Sequence, residues 1–146
     1  MSDPTVKLVF KASNDTYLSL ILRSKGIYNL EAGKRDIDDW CEFSVEPQSA
    51  TSIALRGHNG KYLSLILEKK GGPYVVHASK DQIDDWCIFQ VEKSPDEQIN
   101  ENSIALKGLN GKYLSAILRS GGIYTIEASK SSIDNWCQFK TMTILC

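Results

Sequence analysis

The sequence predicts an all-β protein with the β-trefoil fold, twelve strands in three internal repeats. A stretch that begins at Ser52 recurs from Ser103 with most residues unchanged, and a more diverged copy begins near Val6. Each copy alternates apolar and polar residues with the period of two that is typical of strands. The sequence holds no distinct capping unit of the kind that an open stack of repeats needs. We therefore expect the three copies to close around a pseudo-threefold axis.

Each copy contains signals for four short strands. Alternating apolar residues mark the first strand, a Tyr-Leu-Ser string opens the second, a Tyr-x-x-x-Ala string marks the third, and Cys and Phe share one face of the fourth. The dipeptides Asn59-Gly60 and Asn110-Gly111 stand between the first two strands, and both positions take positive φ at low cost, which predicts a turn. Three sets of four strands match a six-stranded barrel closed by three hairpins.

Several apolar residues recur once in every copy and are predicted to be structural. The three equivalent cysteines cannot all pair with one another, and neither CxxC pairs nor mixed Cys/His spacings occur, so small buried thiols are predicted. Strict alternation places the isoleucines on the outward face unless a bulge turns them. The residues are Tyr28, Tyr74 and Tyr124; Trp40, Trp86 and Trp136; Cys41, Cys87 and Cys137; and Ile21, Ile66 and Ile117.

The 146 residues are predicted to form one domain, 1–146, with repeats of about 6–51, 52–102 and 103–146. The formal charge of −1 is spread along the chain without a cluster of Lys and Arg, so no nucleic-acid partner is predicted. No apolar run approaches the roughly 18 residues of a membrane span, and no leader pattern is visible. We expect no membrane insertion, and a cytoplasmic protein or one secreted without a visible leader.

The sequence shows no pattern that favours catalysis. His58 and His77 are the only histidines, and no nucleophile motif surrounds them. The glycines stand in hairpin turns rather than in a phosphate-binding loop. We expect no enzyme, no catalytic residues, no metal and no cofactor.

The recurrent polar residues lie in the loop between the third and fourth strands of each copy. Carboxylate, amide and ammonium groups form the hydrogen bonds that vicinal sugar hydroxyls accept and donate. The outward face of the preceding strand is predicted to add one further polar residue per copy. The predicted carbohydrate-binding residues are Glu31, Lys34, Asp38 and Asp39 in the first copy, His77, Lys80, Asp84 and Asp85 in the second, and Glu127, Lys130, Asp134 and Asn135 in the third.

A structural role for the same loop residues is an open alternative. Asp38, Asp84 and Asp134 could accept backbone N–H bonds in a tight turn or at a short helical start. The lysines could be ordinary solvated charges, and the tryptophans are predicted to be lids on the barrel. Repeat two has an extra residue in its second turn, Pro73, and a histidine in place of Glu, which predicts three unequal sites.

Two families resemble this chain over nearly its whole length. The Gly-Lys-Tyr-Leu-Ser string at 60–64 and 111–115 resembles the actin-binding trefoil units of fascin and hisactophilin. The longer pattern, through the Tyr-x-x-x-Ala-Ser strand to Trp-Cys-x-Phe, is similar to the agglutinin domain of amaranthin-type lectins. That resemblance implies a lectin for galactose- or GalNAc-type glycans or glycoconjugates. The three repeats predict a multivalent protein with up to three sites, and the outward isoleucines leave a monomer or a homodimer open. The Gln-x-Trp triplet of ricin-type lectins is replaced here by Asp38-Asp39-Trp40 and its equivalents.

Two other functions stay open at the level of sequence. A fascin-like actin-bundling module would need two filament-binding surfaces on one compact domain. A cytokine- or inhibitor-type trefoil would use one asymmetric patch, whereas the most recurrent polar residues of this chain occur three times.

Overall fold

The computed structural model describes residues 6–93 and 103–145. Twelve strands account for most of them, and the described residues contain no helix that is long and apolar enough to cross a membrane. The strands are β1 (Val6–Lys11), β2 (Tyr17–Ser24), β3 (Ile27–Lys34), β4 (Phe43–Pro47), β5 (Ser52–Arg56), β6 (Tyr62–Leu67), β7 (Tyr74–Lys80), β8 (Phe89–Lys93), β9 (Ser103–Lys107), β10 (Tyr113–Arg119), β11 (Ile123–Lys130) and β12 (Phe139–Leu145). Four single 3₁₀ turns lie between strands, at Asp39–Cys41, Asp85–Cys87, Ser120–Gly122 and Asn135–Cys137.

Six of the strands close into a barrel. Strand β1 pairs with β4 and β12, β4 pairs with β5, β5 with β8, β8 with β9, and β9 with β12, all antiparallel. The other six strands form three hairpins, β2–β3, β6–β7 and β10–β11. The second strands of these hairpins also pair with one another, so the three hairpins meet around the pseudo-threefold axis. This architecture confirms the predicted β-trefoil with twelve strands.

The barrel and the hairpins enclose one apolar core. Phe43, Phe89 and Phe139, one from the fourth strand of each repeat, are completely buried. The three cysteines that precede them are also completely buried and unpaired, as predicted. Burial of large side chains at the same position of every repeat explains why the sequence repeats so clearly, because each repeat contributes one third of a shared interior.

The core also joins each repeat to the next one. A Cβ atom built on Gly57 would overlap Cδ1 of Leu20, and one built on Gly108 would overlap Cδ1 of Leu65. The turn of one repeat therefore receives a leucine from the hairpin of the preceding repeat. At the third corresponding place the chain has Ala12 in the turn and Ala116 in the hairpin, both buried.

The predicted turns between the first and second strands are present, with a different backbone conformation. Only the second residue of each Asn-Gly dipeptide is left-handed, with φ of 79° at Gly60 and 78° at Gly111. The side chain of Asn59 instead accepts a hydrogen bond from Lys61 N at 3.1 Å and donates one to Ala78 O at 3.0 Å. In the first repeat Asp15 adopts the same left-handed conformation, with φ of 64°.

The equivalent isoleucines lie on the strand face opposite the core, as alternation predicts, but they are half-buried. Ile21, Ile66 and Ile117 stand directly opposite the residues that surround the pseudo-threefold axis. A register shift occurs in each hairpin at the first residue of the strand, and the first hairpin has a second one between Leu22 and Ser24. The isoleucines themselves pair in regular register, so no bulge turns them toward the core.

Candidate functional site

The loop between the third and fourth strands of each repeat contains a 3₁₀ turn with an aspartate cap. Asp38, in extended conformation, accepts a hydrogen bond from Trp40 N at 3.0 Å. Asp84 and Asp134 do the same for Trp86 N and Trp136 N, at 3.0 and 2.9 Å. A short carboxylate is suited to this position because it satisfies a backbone N–H that has no partner inside the turn. The structural alternative for these aspartates is therefore present in all three repeats.

The recurrent lysine of each loop pairs with the same aspartate. Nζ of Lys34 lies 2.8 Å from Oδ2 of Asp38, Lys80 lies 2.7 Å from Asp84, and the third pair, four residues apart like the others, lies 3.2 Å apart. The hydrogen bond from lysine holds the pKa of Asp38 and of Asp84 below the ordinary value, although partial burial opposes it. Both groups are partly exposed, so each keeps hydrogen-bonding capacity toward solvent.

The tryptophans stack on the tyrosines that open the third strands. The ring centroids of Tyr28 and Trp40 are 4.8 Å apart with an angle of 12° between planes, and the other two pairs are stacked at 5.2 and 5.1 Å. These tryptophans are half-buried and pack against the core. A tyrosine ring therefore covers one face of each indole, which agrees with the predicted role of the tryptophans as lids on the barrel.

The residue after each cap is polar in all three repeats. Asp39, Asp85 and Asn135 are exposed. Their side chains form no hydrogen bond or ion pair with other residues in the described part of the chain. They differ in this respect from the cap aspartates, although the sequence prediction grouped the two positions together.

The prediction that Glu31, His77 and Glu127 lie on an outward, accessible face beside the loops is wrong. These side chains are 5%, 6% and 3% exposed. They lie around the pseudo-threefold axis and pair with residues at the ends of the hairpin strands. Alternation along the strand places them opposite the core correctly, but the neighbouring hairpins bury that face.

The third loop opens onto a polar cavity of about 220 Å³. Asn135 and Gln138 line it together with Ser13 and Asp15, which come from the turn of the first repeat. At the equivalent place of the first loop, His58 from the next repeat packs edge-on against Trp40, with ring centroids 4.8 Å apart. The residue at this position of the first-to-second-strand turn is Ser13, His58 or Leu109, so the three repeats differ chemically at this point.

Sequence reasoning missed the contribution of the neighbouring turn. Ser13, His58 and Leu109 occupy the same position in their repeats, and their variation was the available signal. Their distance along the chain from the loops they face made that signal hard to interpret without the order of the hairpins. Within residues 6–93 and 103–145, no group of three or more His, Cys, Asp or Glu residues is placed to hold a metal ion.

Comparison with known proteins identifies the fold and not a family. No protein-family model and no curated protein sequence matches the chain. Solved structures do match. A designed threefold-symmetric protein, ThreeFoil, has a TM-score of 0.75 and 15% identity, with 93% of this chain and 97% of that chain covered. The BEL β-trefoil has a TM-score of 0.70 and 12% identity, with 95% and 93% covered.

A lectin is also among the similar structures. The Polyporus squamosus lectin, solved with the epitope Neu5Aca2-6Galb1-4GlcNAc, has a TM-score of 0.71 and 13% identity. The match covers 98% of this chain and 50% of the lectin chain. Identities this low relate the folds alone. The chain is thus an all-β protein with the β-trefoil fold.

Proposed function

We propose that this protein is a multivalent lectin, which binds glycans or glycoconjugates through its three 3₁₀-turn loops and catalyses no reaction. The observation that carries the proposal is the threefold recurrence of an exposed polar side chain, at Asp39, Asp85 and Asn135, with no partner among the described residues. An exposed side chain of this kind is available to sugar hydroxyls, and Asn135 also lines a cavity.

The third loop supports the proposal most directly. Its cavity of about 220 Å³ is lined by amide, hydroxyl, carboxylate and ammonium groups, including those of Asn135, Ser13, Asp15 and Lys140. This mixture of donors and acceptors suits a neutral ligand that both donates and accepts. The similarity of fold to a sugar-binding lectin is consistent with this role. The galactose or GalNAc class follows from the amaranthin-type resemblance.

Three weak sites explain why a rigid threefold body would be useful. A monosaccharide with about twelve heavy atoms at ~0.3 kcal/mol each gains roughly 4 kcal/mol, which corresponds to about millimolar affinity. Simultaneous engagement of several sites on a glycan-covered surface raises the apparent affinity by orders of magnitude without new contacts.

The test is a glycan array with three proteins. The first is the natural chain, and the second carries Asp39→Ala, Asp85→Ala and Asn135→Ala. We expect the second to stay folded and to lose at least about a hundredfold in apparent affinity, because small losses at each site multiply on a multivalent surface. The cap aspartates are less suitable targets, since their replacement removes a turn cap and an ion pair together.

The matched control carries Asp36→Ala, Gln82→Ala and Ser132→Ala, which are exposed residues of the same three loops. Binding by the control and loss by the test variant would support the proposal. Equal binding by both variants would place the sugar elsewhere. If no glycan is bound by the natural chain, the lectin proposal fails, and co-sedimentation with actin filaments becomes the informative assay.

A further inference from the structure

A second cavity lies on the pseudo-threefold axis, where the hairpins meet. Strands β3, β7 and β11 pair with one another there, with Asn29 opposite His77, Val75 opposite Glu127, and Thr125 opposite Glu31. The cavity has a volume of about 360 Å³, in the range of small-molecule sites. We name it the axial pocket, and its walls include Asn29, Val75, Thr125, Glu68, Pro73 and Arg119.

The buried acids around the axis already have their counterions. Glu31 is held by two hydrogen bonds from Arg23, with Nε–Oε2 of 2.6 Å and Nη2–Oε1 of 2.5 Å. Glu127 is held in the same bidentate manner by Arg119, and it also accepts a hydrogen bond from the Thr125 hydroxyl at 2.7 Å. Such fork-to-fork pairing uses both oxygens of each carboxylate.

The second repeat reverses this arrangement. Glu68 stands where the other repeats have arginine, and His77 stands where they have glutamate, with His77 Nε2 2.8 Å from Glu68 Oε2. The residues that line the pocket therefore include two carboxylates, Glu68 and Glu127, and two cations, Lys69 and Arg119. The surroundings do not favour a net charge on a ligand.

One side chain that lines the pocket, Asn29, has a buried polar atom without a partner. Oδ1 of Asn29 is shielded from solvent and forms no hydrogen bond in the described structure. Leaving a buried acceptor unsatisfied is costly, so the site favours a molecule that supplies a donor. A hydroxyl group fits best, because it can both donate and accept and therefore satisfies the amide in either orientation. Arg119 has further N–H groups that do not bind Glu127, and these can donate hydrogen bonds to a second oxygen of the ligand.

We propose that the axial pocket is a separate binding site, which takes one small, neutral, polyhydroxylated molecule per chain. The apolar wall formed by Val75 and Pro73 suits the C–H surface of a polyol, while Asn29, Thr125 and Arg119 suit its hydroxyls. The site differs from the three loops in being single and central. It does not depend on the lectin proposal, because none of its wall residues belongs to a loop site.

The test uses titration of the ¹⁵N-labelled full chain with galactose, glucose, myo-inositol and sorbitol, followed by amide chemical shifts. We expect saturable shifts at Asn29, Val75 and Thr125 with at least one probe. The two cyclic sugars, the cyclitol and the acyclic polyol distinguish a free monosaccharide from other polyols. Inorganic phosphate serves as a charged probe, and a stronger response to phosphate would overturn the neutral class of ligand.

The decisive variant is Asn29→Leu, which keeps the size of the side chain and removes its amide. We expect three- to tenfold weaker binding, the effect of about one neutral hydrogen bond, and thermal stability no lower than that of the natural chain, because an unsatisfied polar group is lost. Thr125→Val is a second variant that preserves shape, in case the first alters folding. Unchanged affinity in both variants, or no saturable shift around the axis with any polyol, would overturn the proposal.

The loop-site variant Asp39→Ala, Asp85→Ala, Asn135→Ala separates this proposal from the lectin. It should bind the polyol at the axis as the natural chain does. Shifts that are confined to residues around Asn135, and that disappear in the loop-site variant, would contradict the axial site and support the loop site alone.

Discussion

At the scale of single residues, the turn between the first and second strands of each repeat contains one left-handed residue. Gly60 and Gly111 adopt this conformation without strain, whereas the first repeat uses Asp15, at φ of 64°. Aspartate tolerates this region better than most residues, yet it still pays a steric penalty that glycine avoids.

We therefore predict that Asp15→Gly stabilises the protein by about 0.5 to 1 kcal/mol, the relief of strain being offset partly by the freedom of glycine in the unfolded chain. Asp15 is exposed, so no packing is lost. Urea denaturation at neutral pH measures the change. The reverse substitution, Gly60→Asp, is the matched control and should destabilise, and a lower midpoint for Asp15→Gly would contradict the assignment.

At the scale of elements, the turn of one repeat fits the hairpin of the preceding repeat as a complementary pair. Two of the three junctions pair a leucine with a glycine, Leu20 with Gly57 and Leu65 with Gly108. The third junction pairs two side chains of equal size, Ala12 and Ala116. The fold therefore constrains the combined volume of the two side chains at each junction, rather than the identity of either residue.

A double-mutant cycle tests this junction. Gly57→Ala is predicted to cost about 1 to 3 kcal/mol because Leu20 is buried and cannot move aside freely. Leu20→Ala is predicted to cost about 2 to 5 kcal/mol through the cavity it leaves. The double variant reproduces the Ala–Ala pair of the third junction, so its loss should be at least about 1 kcal/mol smaller than the sum. Simple additivity would show that the two side chains do not compete for space.

The 3₁₀-turn loops are the elements in which structure and proposed function are closest together. The cap aspartate and its lysine fix the turn, and the next residue is presented to solvent. Because Lys, Asp and Trp form the turn, they are the same in all three repeats. The side chain at the exposed position is not part of the turn's hydrogen bonding, and it is Asp39 and Asp85 in the first two repeats but Asn135 in the third. A position that is proposed only to contact a ligand can differ among the three loops, whereas the residue that caps the turn is the same in all three.

At the scale of the whole molecule, three thiols are buried at equivalent places. Burial raises the pKa of Cys41, Cys87 and Cys137, because a thiolate would be poorly solvated in the core. In the unfolded chain the thiols have an ordinary pKa of about 8.5. The folded state therefore holds protons that the unfolded state releases, and the stability present below pH 8 is lost as the pH rises further.

We predict that the free energy of unfolding falls progressively from about pH 8.5 to pH 10, with three thiols contributing. Urea denaturation under reducing conditions across this range measures the slope. A variant with alanine at all three cysteines should be less stable at pH 7 and should show a clearly smaller decrease between pH 8 and pH 9.5. An equal decrease in both proteins would assign the effect to other groups.

Much of this architecture could be predicted from sequence because it is encoded locally and repeated. Alternation, turn glycines and one aromatic lid per repeat are each visible within a few residues, and threefold recurrence separates them from coincidence. The core positions of the phenylalanines and cysteines follow from the same local pattern. The sequence also identified the loops in which Asp39, Asp85 and Asn135 are exposed.

The tertiary structure alone decided which faces are covered. Alternation along a strand indicates that Glu31, His77 and Glu127 point away from the core. It does not indicate that three hairpins converge and bury these side chains. It also gives no indication that His58 packs on Trp40, or that Ser13 and Asn135 share a cavity. The sequence determines the repeating unit because strand and turn preferences arise from interactions between residues close together in the chain. Contacts between repeats depend on closure around the axis, which brings together residues far apart in the chain.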